Sequence, residues 1–182
     1  LLNNKNETFI KKNNFTIRIV NTGKNSLTGG RIKRIRKYVE KDAFFHMTYG
    51  DGLSNVNINK LTKFHLKNKK FATVTTVKIQ VPQERFGVVY FKNKNTVKEF
   101  VEKPDIKEIF INGGFFVLNS KIFKFIKDDF TRWEAKPLER IAKQKQLAAF
   151  KHTGFWKCMD TIRDRKYLEQ FKNKKFPWNT LN

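Results

Sequence analysis

The residues of this chain with both the type and the setting for chemistry are acidic ones placed among glycines. Asp51 stands between Gly50 and Gly52 at the end of an apolar, aromatic run, FFHMTYGDGLS (44–54). A run of that kind closed by glycines predicts a buried strand entering a tight loop. The flanking glycines allow a sharp turn and leave room for a ligand to come close to the carboxylate. Asp160 occupies a second corner, GFWKCMDT (154–161), and Asn112-Gly113-Gly114 interrupts a further apolar run, EIFINGGFFVLN (108–119). Open α/β sheets bind ligands outside the carboxyl ends of their strands, so Asp51, Asn112 and Asp160 are expected on one rim. Each also has an ordinary structural role open to it. Asp51 reads equally as a turn aspartate, Gly113-Gly114 as a strand bulge and Asp160 as the N-cap of the last helix. Gly29-Gly30 could simply open a helix, and Glu102-Lys103-Pro104 could be a charged strand end.

Several chemistries lack their signatures. No Gly-rich loop ends in Gly-Lys-Ser/Thr, and no serine sits in a nucleophile elbow. His46, His65 and His152 lack metal-ligand spacing with the single cysteine, Cys158, and are expected to pack or lie at the surface. One cysteine excludes an internal disulfide framework and fits a reducing, cytoplasmic setting. No apolar run approaches bilayer length, so no membrane association is expected. The formal net charge of +23 favours polyanionic partners. Most of it is lysine scattered along the chain. The exception is RIKRIRKYVEK (31–41), where Ile32, Ile35 and Val39 fall near one face of an amphipathic helix with a basic outer side. A basic nucleic-acid-binding module centred there is the rival from another class, but it leaves Asp51, Asp160 and the Gly-Gly pairs without a purpose.

The elements that must hold these residues alternate between strand-like and helix-like, as in an α/β sheet domain. FTIRIV (15–20), AFFHMTY (43–49) and FATVTTVKI (71–79) read as strands. FGVVYF, a KNKN turn and TVKEFVEKP read as a hairpin (86–104). Ile58, Leu61 and Phe64 have helical spacing, and further helices are expected over 120–126, 137–144 and 161–172. At 182 residues, 39% of them hydrophobic, the chain is read as one domain, 1–182, with a substantial core.

Six short motifs, SLTGGR, TYGDG, ERFGVV, VEKP, INGGFF and GFWKCMDT, occur in an order and at spacings that resemble the sugar-1-phosphate nucleotidylyltransferases. The likeness is greatest to the cytidylyltransferase branch that acts on glucose 1-phosphate, and it runs from about Phe15 to Trp178. It includes NTGKNSLTGGRIKRI, TYGDGLSNVNI, the pairs Trp133-Glu134 and Pro137-Leu138, and the closing PWNT. The family begins with a strand and a Gly-Gly-x-Gly-Thr-Arg loop followed by a Lys-Pro segment, and this sequence has neither. It carries FGVV where the cytidylyl branch has Phe-Gly-Ala-Leu, and ERFGVV is also similar to thymidylyl- and uridylyltransferase relatives.

The resemblance implies a Rossmann-like, glycosyltransferase-A-like α/β fold with a mixed sheet, present here as roughly the C-terminal two-thirds of the family domain. It implies transfer of a cytidylyl group from CTP to α-D-glucose 1-phosphate, giving CDP-glucose and pyrophosphate for polysaccharide synthesis. Mg²⁺ is the implied cofactor, with Asp51 and Asp160 as its ligands. Arg31 and Lys103 are implied to face phosphate oxygens. Ser26, Thr28, Gly29, Gly30, Arg31 and Gly50 are implied to contact the nucleotide. Gly87, Glu102, Lys103, Asn112 and Gly113 are implied to contact the sugar phosphate. The full-length family member is implied to be a homo-oligomer, with no nucleic-acid partner. The 182-residue chain by itself is expected to be inactive and to expose apolar surface, and a non-catalytic remnant is the rival within the family.

Overall fold

A computed structural model of the chain describes residues 2–4, 7–12, 15–79, 88–93, 95–101, 109–172 and 174–179. The chain groups into two compact units. One comprises Leu1–Thr48, Asn59–Val74 and Phe115–Ala148; the other comprises Tyr49–Ile58, Thr75–Gly114 and Ala149–Asn182. Strands and helices alternate along much of the chain, as the sequence predicts for an α/β protein. A four-stranded sheet has the order β10-β6-β9-β4, from Leu147–His152, Ala72–Ile79, Ile109–Leu118 and Phe45–Met47. β4 and β9 run antiparallel, with Phe45 opposite Leu118 and Met47 opposite Phe116.

The first unit opens with an antiparallel sheet of β1 (Leu2–Asn4), β2 (Glu7–Lys12) and β3 (Phe15–Val20). β3 forms where the alternation predicts it, yet Phe15, Ile17 and Ile19 remain 42–55% exposed. The core of this unit is built from Leu61, Phe116, Val117, Leu118, Ile122, Trp133 and Ile141, all essentially inaccessible. Trp133 meets Phe116 edge to face and Phe45 stacks on Phe123. Leu61 and His65 are the buried side chains of α3 (Ile58–Asn68), whereas Ile58, expected on the same face, is 43% exposed. A 3-10 turn (Ser120–Phe125) and α4 (Lys136–Lys143) complete the unit.

The basic segment 31–41 is not one helix. α1 (Thr28–Arg34) stops at Ile35 and α2 (Arg36–Val39) begins after it; only Ile32 is buried, with Ile35 and Val39 half-buried. The charged side chains have acceptors in their own unit. Past the break, Tyr38 and Lys37 both bond Glu7 of β2. Lys33 reaches the Lys127 carbonyl, and Arg34 forms a two-pronged bond with Asp129.

The second unit contains a two-stranded ribbon of β5 (Gly52–Ser54) and β11 (Trp156–Cys158), and the expected hairpin of β7 (Val88–Phe91) and β8 (Val97–Val101). α5 (Ile162–Glu169) follows the ribbon. Phe155, Phe171, Phe176 and Trp178 form an aromatic cluster. Asp160 does not cap α5, contrary to one of the roles open to it. The cap is Thr161, whose hydroxyl accepts the Asp164 N–H while the Asp164 carboxylate accepts the Thr161 N–H, a reciprocal capping box.

Candidate active site

Both candidate metal ligands lie in the second unit, and the ribbon explains why they are close along the main chain. Cys158 pairs with Gly52 in the antiparallel register, and the ladder continues one step, the Met159 N–H donating to the Asp51 carbonyl oxygen at 2.9 Å. Asp160 is the next residue. The strand pair therefore delivers the two aspartates to the same end, both exposed.

Among the described residues, a Cβ added at Gly50 or Gly52 would meet nothing within 4 Å, and neither glycine has a positive φ. Open space among the described residues, not backbone strain or crowding, distinguishes this corner.

The third motif joins the same unit. β9 passes through Asn112, Gly113 and Gly114 as one strand, so these residues do not break it; Gly114 alone takes a left-handed φ of +81°. The Asn112 side chain accepts the Gly114 N–H at 2.8 Å and supports that turn of the backbone. A Cβ on Gly114 would stand 2.9 Å from the Tyr49 ring, two residues before Asp51, and one on Gly113 would stand 3.0 Å from the Thr75 carbonyl oxygen. The indole N–H of Trp156 donates to the Gly113 carbonyl at 2.8 Å. Tyr49 and Trp156 therefore tie the Asn112 motif to the Asp51 corner and to the Asp160 ribbon. Sequence reasoning missed this tie, which no spacing rule signals.

Around Asp160 the chain supplies a second set of contacts. The Cys158 thiol is pushed up from its ordinary pKa, first by burial and then by its hydrogen bond to the Asp160 carboxylate. The Asp164 carboxyl is held down at about 2 by the Lys157 ammonium and by Thr161. Asp164 did not emerge from the motif reading, although Thr161-x-x-Asp164 is a capping-box signature visible in the sequence.

The candidate nucleotide residues apart from Gly50 lie in the first unit. Gly29 and Gly30 are helical residues of α1 and both are buried. Their N–H groups donate to the Thr131 carbonyl, at 2.9 and 3.3 Å, and the Leu27 N–H donates to the Asp129 carbonyl at 2.8 Å. The Thr28 hydroxyl accepts the Trp133 N–H and donates to Glu134. Ser26 is buried. The exposed Arg31 guanidinium donates to the Thr22 hydroxyl and the Lys24 carbonyl, which holds it over the preceding loop. Gly87, Glu102 and Lys103 lie outside the described residues.

The family model described as Nucleotidyl transferase matches residues 5–169, and the chain belongs to that family. Glucose-1-phosphate cytidylyltransferase of Salmonella typhimurium is 44% identical over 167 residues, which is 91% of this chain and 63% of the relative. The probable glucose-1-phosphate cytidylyltransferase of Bacillus subtilis is 40% identical, over 87% of this chain and 60% of its own. The chain thus spans a little under two-thirds of these relatives. Among solved structures, HddC of Yersinia pseudotuberculosis matches with a TM-score of 0.58 at 22% identity, over 82% of this chain and 64% of that one. A putative glucose-1-phosphate thymidylyltransferase of Bacillus anthracis matches at 0.56 and 19%, over 80% and 60%. At those identities the structures bear on the fold, and they agree with the mixed α/β nucleotidyltransferase architecture that the motifs imply.

Proposed function

We propose that the protein transfers a cytidylyl group from CTP to α-D-glucose 1-phosphate, releasing pyrophosphate and forming CDP-glucose, with Asp51 and Asp160 holding Mg²⁺. The observation that carries this reading is the ribbon ladder that brings the two aspartates to one end, beside a pair of glycines that no described residue crowds. Identity of 44% to a cytidylyltransferase supports the choice of substrates.

The donor chemistry fits the metal. Two carboxylates are hard oxygen ligands, and Mg²⁺ commonly takes one or two of them, with phosphates and water completing its shell. Among the described residues no group of three or more His, Cys, Asp or Glu could hold a metal, so any metal here would rest on fewer protein ligands. When bound, the ion would neutralise phosphate charge as an oxygen of the sugar phosphate meets the α-phosphorus.

The protein's own work is to bind and align two polyanions. Arg31 would present its remaining N–H groups to phosphate oxygens, with Lys103 as the second cation. Ser26, Thr28, Gly29 and Gly30 would line the base and ribose, the glycine amides being already committed to Thr131. Gly50 would give the nucleotide access to Asp51. Asn112 and Gly113, with Gly87 and Glu102, would border the sugar, Glu102 accepting from its hydroxyls. Action in the cytoplasm on the way to surface polysaccharide, and a homo-oligomeric state, belong to the same proposal.

The test is product formation by the protein expressed from its own gene, given α-D-glucose 1-phosphate, Mg²⁺ and either CTP, UTP or dTTP. Preference for CTP supports the assignment. Preference for dTTP or UTP moves the protein to another branch, and no turnover with any triphosphate favours a non-catalytic role.

A further inference from the structure

We infer that Asp164 is a positioning residue for Asp160: its carboxylate fixes the loop that presents the second metal-binding carboxylate. The inference rests on the metal assignment above and deepens it.

A capping box requires only the reciprocal pair between Thr161 and Asp164. Asp164 does more. Its Oδ2 accepts the Thr161 N–H at 3.0 Å, the Thr161 hydroxyl at 2.8 Å and the Asp160 N–H itself at 3.3 Å. Its Oδ1 takes the ammonium of Lys157, a β11 residue that faces Leu53 of β5 in the ladder. One carboxylate thus gathers the strand before Asp160, the main chain of Asp160 and the first turn of α5. From the other side, the Met159 N–H anchors the same loop to Asp51. The Asp160 peptide is held at both neighbouring residues, and the holding groups lead back to the strand pair that carries Asp51.

The side-chain length is informative. Glutamate serves the box at this position as well as aspartate, so helix capping alone does not demand the shorter residue. A carboxylate one methylene longer keeps the cap but cannot keep both the Asp160 N–H and the Lys157 ammonium where they are. Outer-shell groups that orient metal ligands commonly cost roughly 10- to 100-fold in metal affinity when changed.

The experiment uses Mn²⁺, with CTP present, as the probe. Free Mn²⁺ is followed by its electron paramagnetic resonance signal in titrations of the wild type, Asp51→Asn, Asp164→Glu and Asp164→Asn, alongside thermal unfolding. The expected result is that Asp164→Glu melts within about 3 °C of the wild type while its Mn²⁺ dissociation constant rises roughly 10-fold. Asp164→Asn should weaken binding further, with a lower melting temperature. Wild-type affinity in Asp164→Glu overturns the positioning role, and that variant decides even if Asp164→Asn does not fold. If the wild type shows no Mn²⁺ binding that Asp51→Asn abolishes, the metal assignment itself falls and takes this inference with it.

Discussion

Replacing Gly30 by alanine would put a methyl carbon 2.3 Å from the Asp129 carbonyl oxygen and 2.6 Å from the Asp129 Cα. Both neighbours are backbone, so neither can swing aside as a side-chain tip would. Restoring ordinary contact distances requires the 129–131 loop to withdraw by about 1 Å. That withdrawal stretches the bond from the Leu27 N–H to Asp129 and the bond from the Gly29 N–H to Thr131, now 2.8 and 2.9 Å, beyond hydrogen-bonding range. Overpacking costs about 1–3 kcal/mol and each lost bond about 1 kcal/mol. Alanine returns about 1 kcal/mol of helix propensity over glycine. The net loss is about 2–4 kcal/mol, which for a chain of this size lowers the melting temperature by about 5–15 °C. Far-UV circular dichroism on heating reads it directly. Gly50→Ala and Gly52→Ala, whose new methyl groups meet no described residue within 4 Å, should stay within about 0.5 kcal/mol of the wild type in stability. Their methyl groups would instead intrude on the space beside Asp51 and weaken metal binding. A Gly30→Ala protein as stable as the wild type would refute the reasoning, as would a Gly50→Ala protein that melts many degrees low.

Two further outcomes follow from the same structure. His65 is buried against Thr73, and burial, with His46 adding its charge, lowers its pKa below the ordinary 6.5. The unfolded chain takes up that proton more readily, so stability is full above about pH 6.5 and falls as the pH drops through and below it. His65→Gln should flatten the fall in melting temperature between about pH 7.5 and 5, and an unchanged slope would count against the assignment. Trp156→Phe removes the donor to the Gly113 carbonyl and should cost about 1 kcal/mol in urea unfolding; no loss would mean that the tie between β9 and the ribbon is not needed.

Much of the molecule was legible where pattern and partner agree. FATVTTVKI is β-branched enough to specify β6, and the β7–β8 hairpin announces itself by two runs around KNKN. The ribbon was not legible. β5 and β11 are three residues each, too short for any period, and exist because each is the other's partner. The basic helix was read as continuous because Ile32, Ile35 and Val39 keep a helical interval; the interruption at Ile35 leaves no mark in that interval. Asp51, Asn112 and Asp160 were identifiable as motif residues. That Tyr49, Trp156 and Met159 bind those motifs to one another depends on register, which the motifs do not encode. Gly29 and Gly30 were readable as special, but the reason the structure gives is the close approach of the 129–131 loop.

The central claim is that Asp51 and Asp160 hold the metal for cytidylyl transfer. Its most direct test is the rate of CDP-glucose formation by the Asp51→Asn protein, expressed from its own gene, across a range of Mg²⁺ concentrations. Asp51 is exposed and its tie to the ribbon is its main-chain carbonyl, which Asn keeps, so the variant should fold normally. The predicted result is a rate lower by roughly 100-fold or more at every Mg²⁺ concentration, with a melting temperature close to that of the wild type. A near-wild-type rate with the same Mg²⁺ dependence would contradict the account.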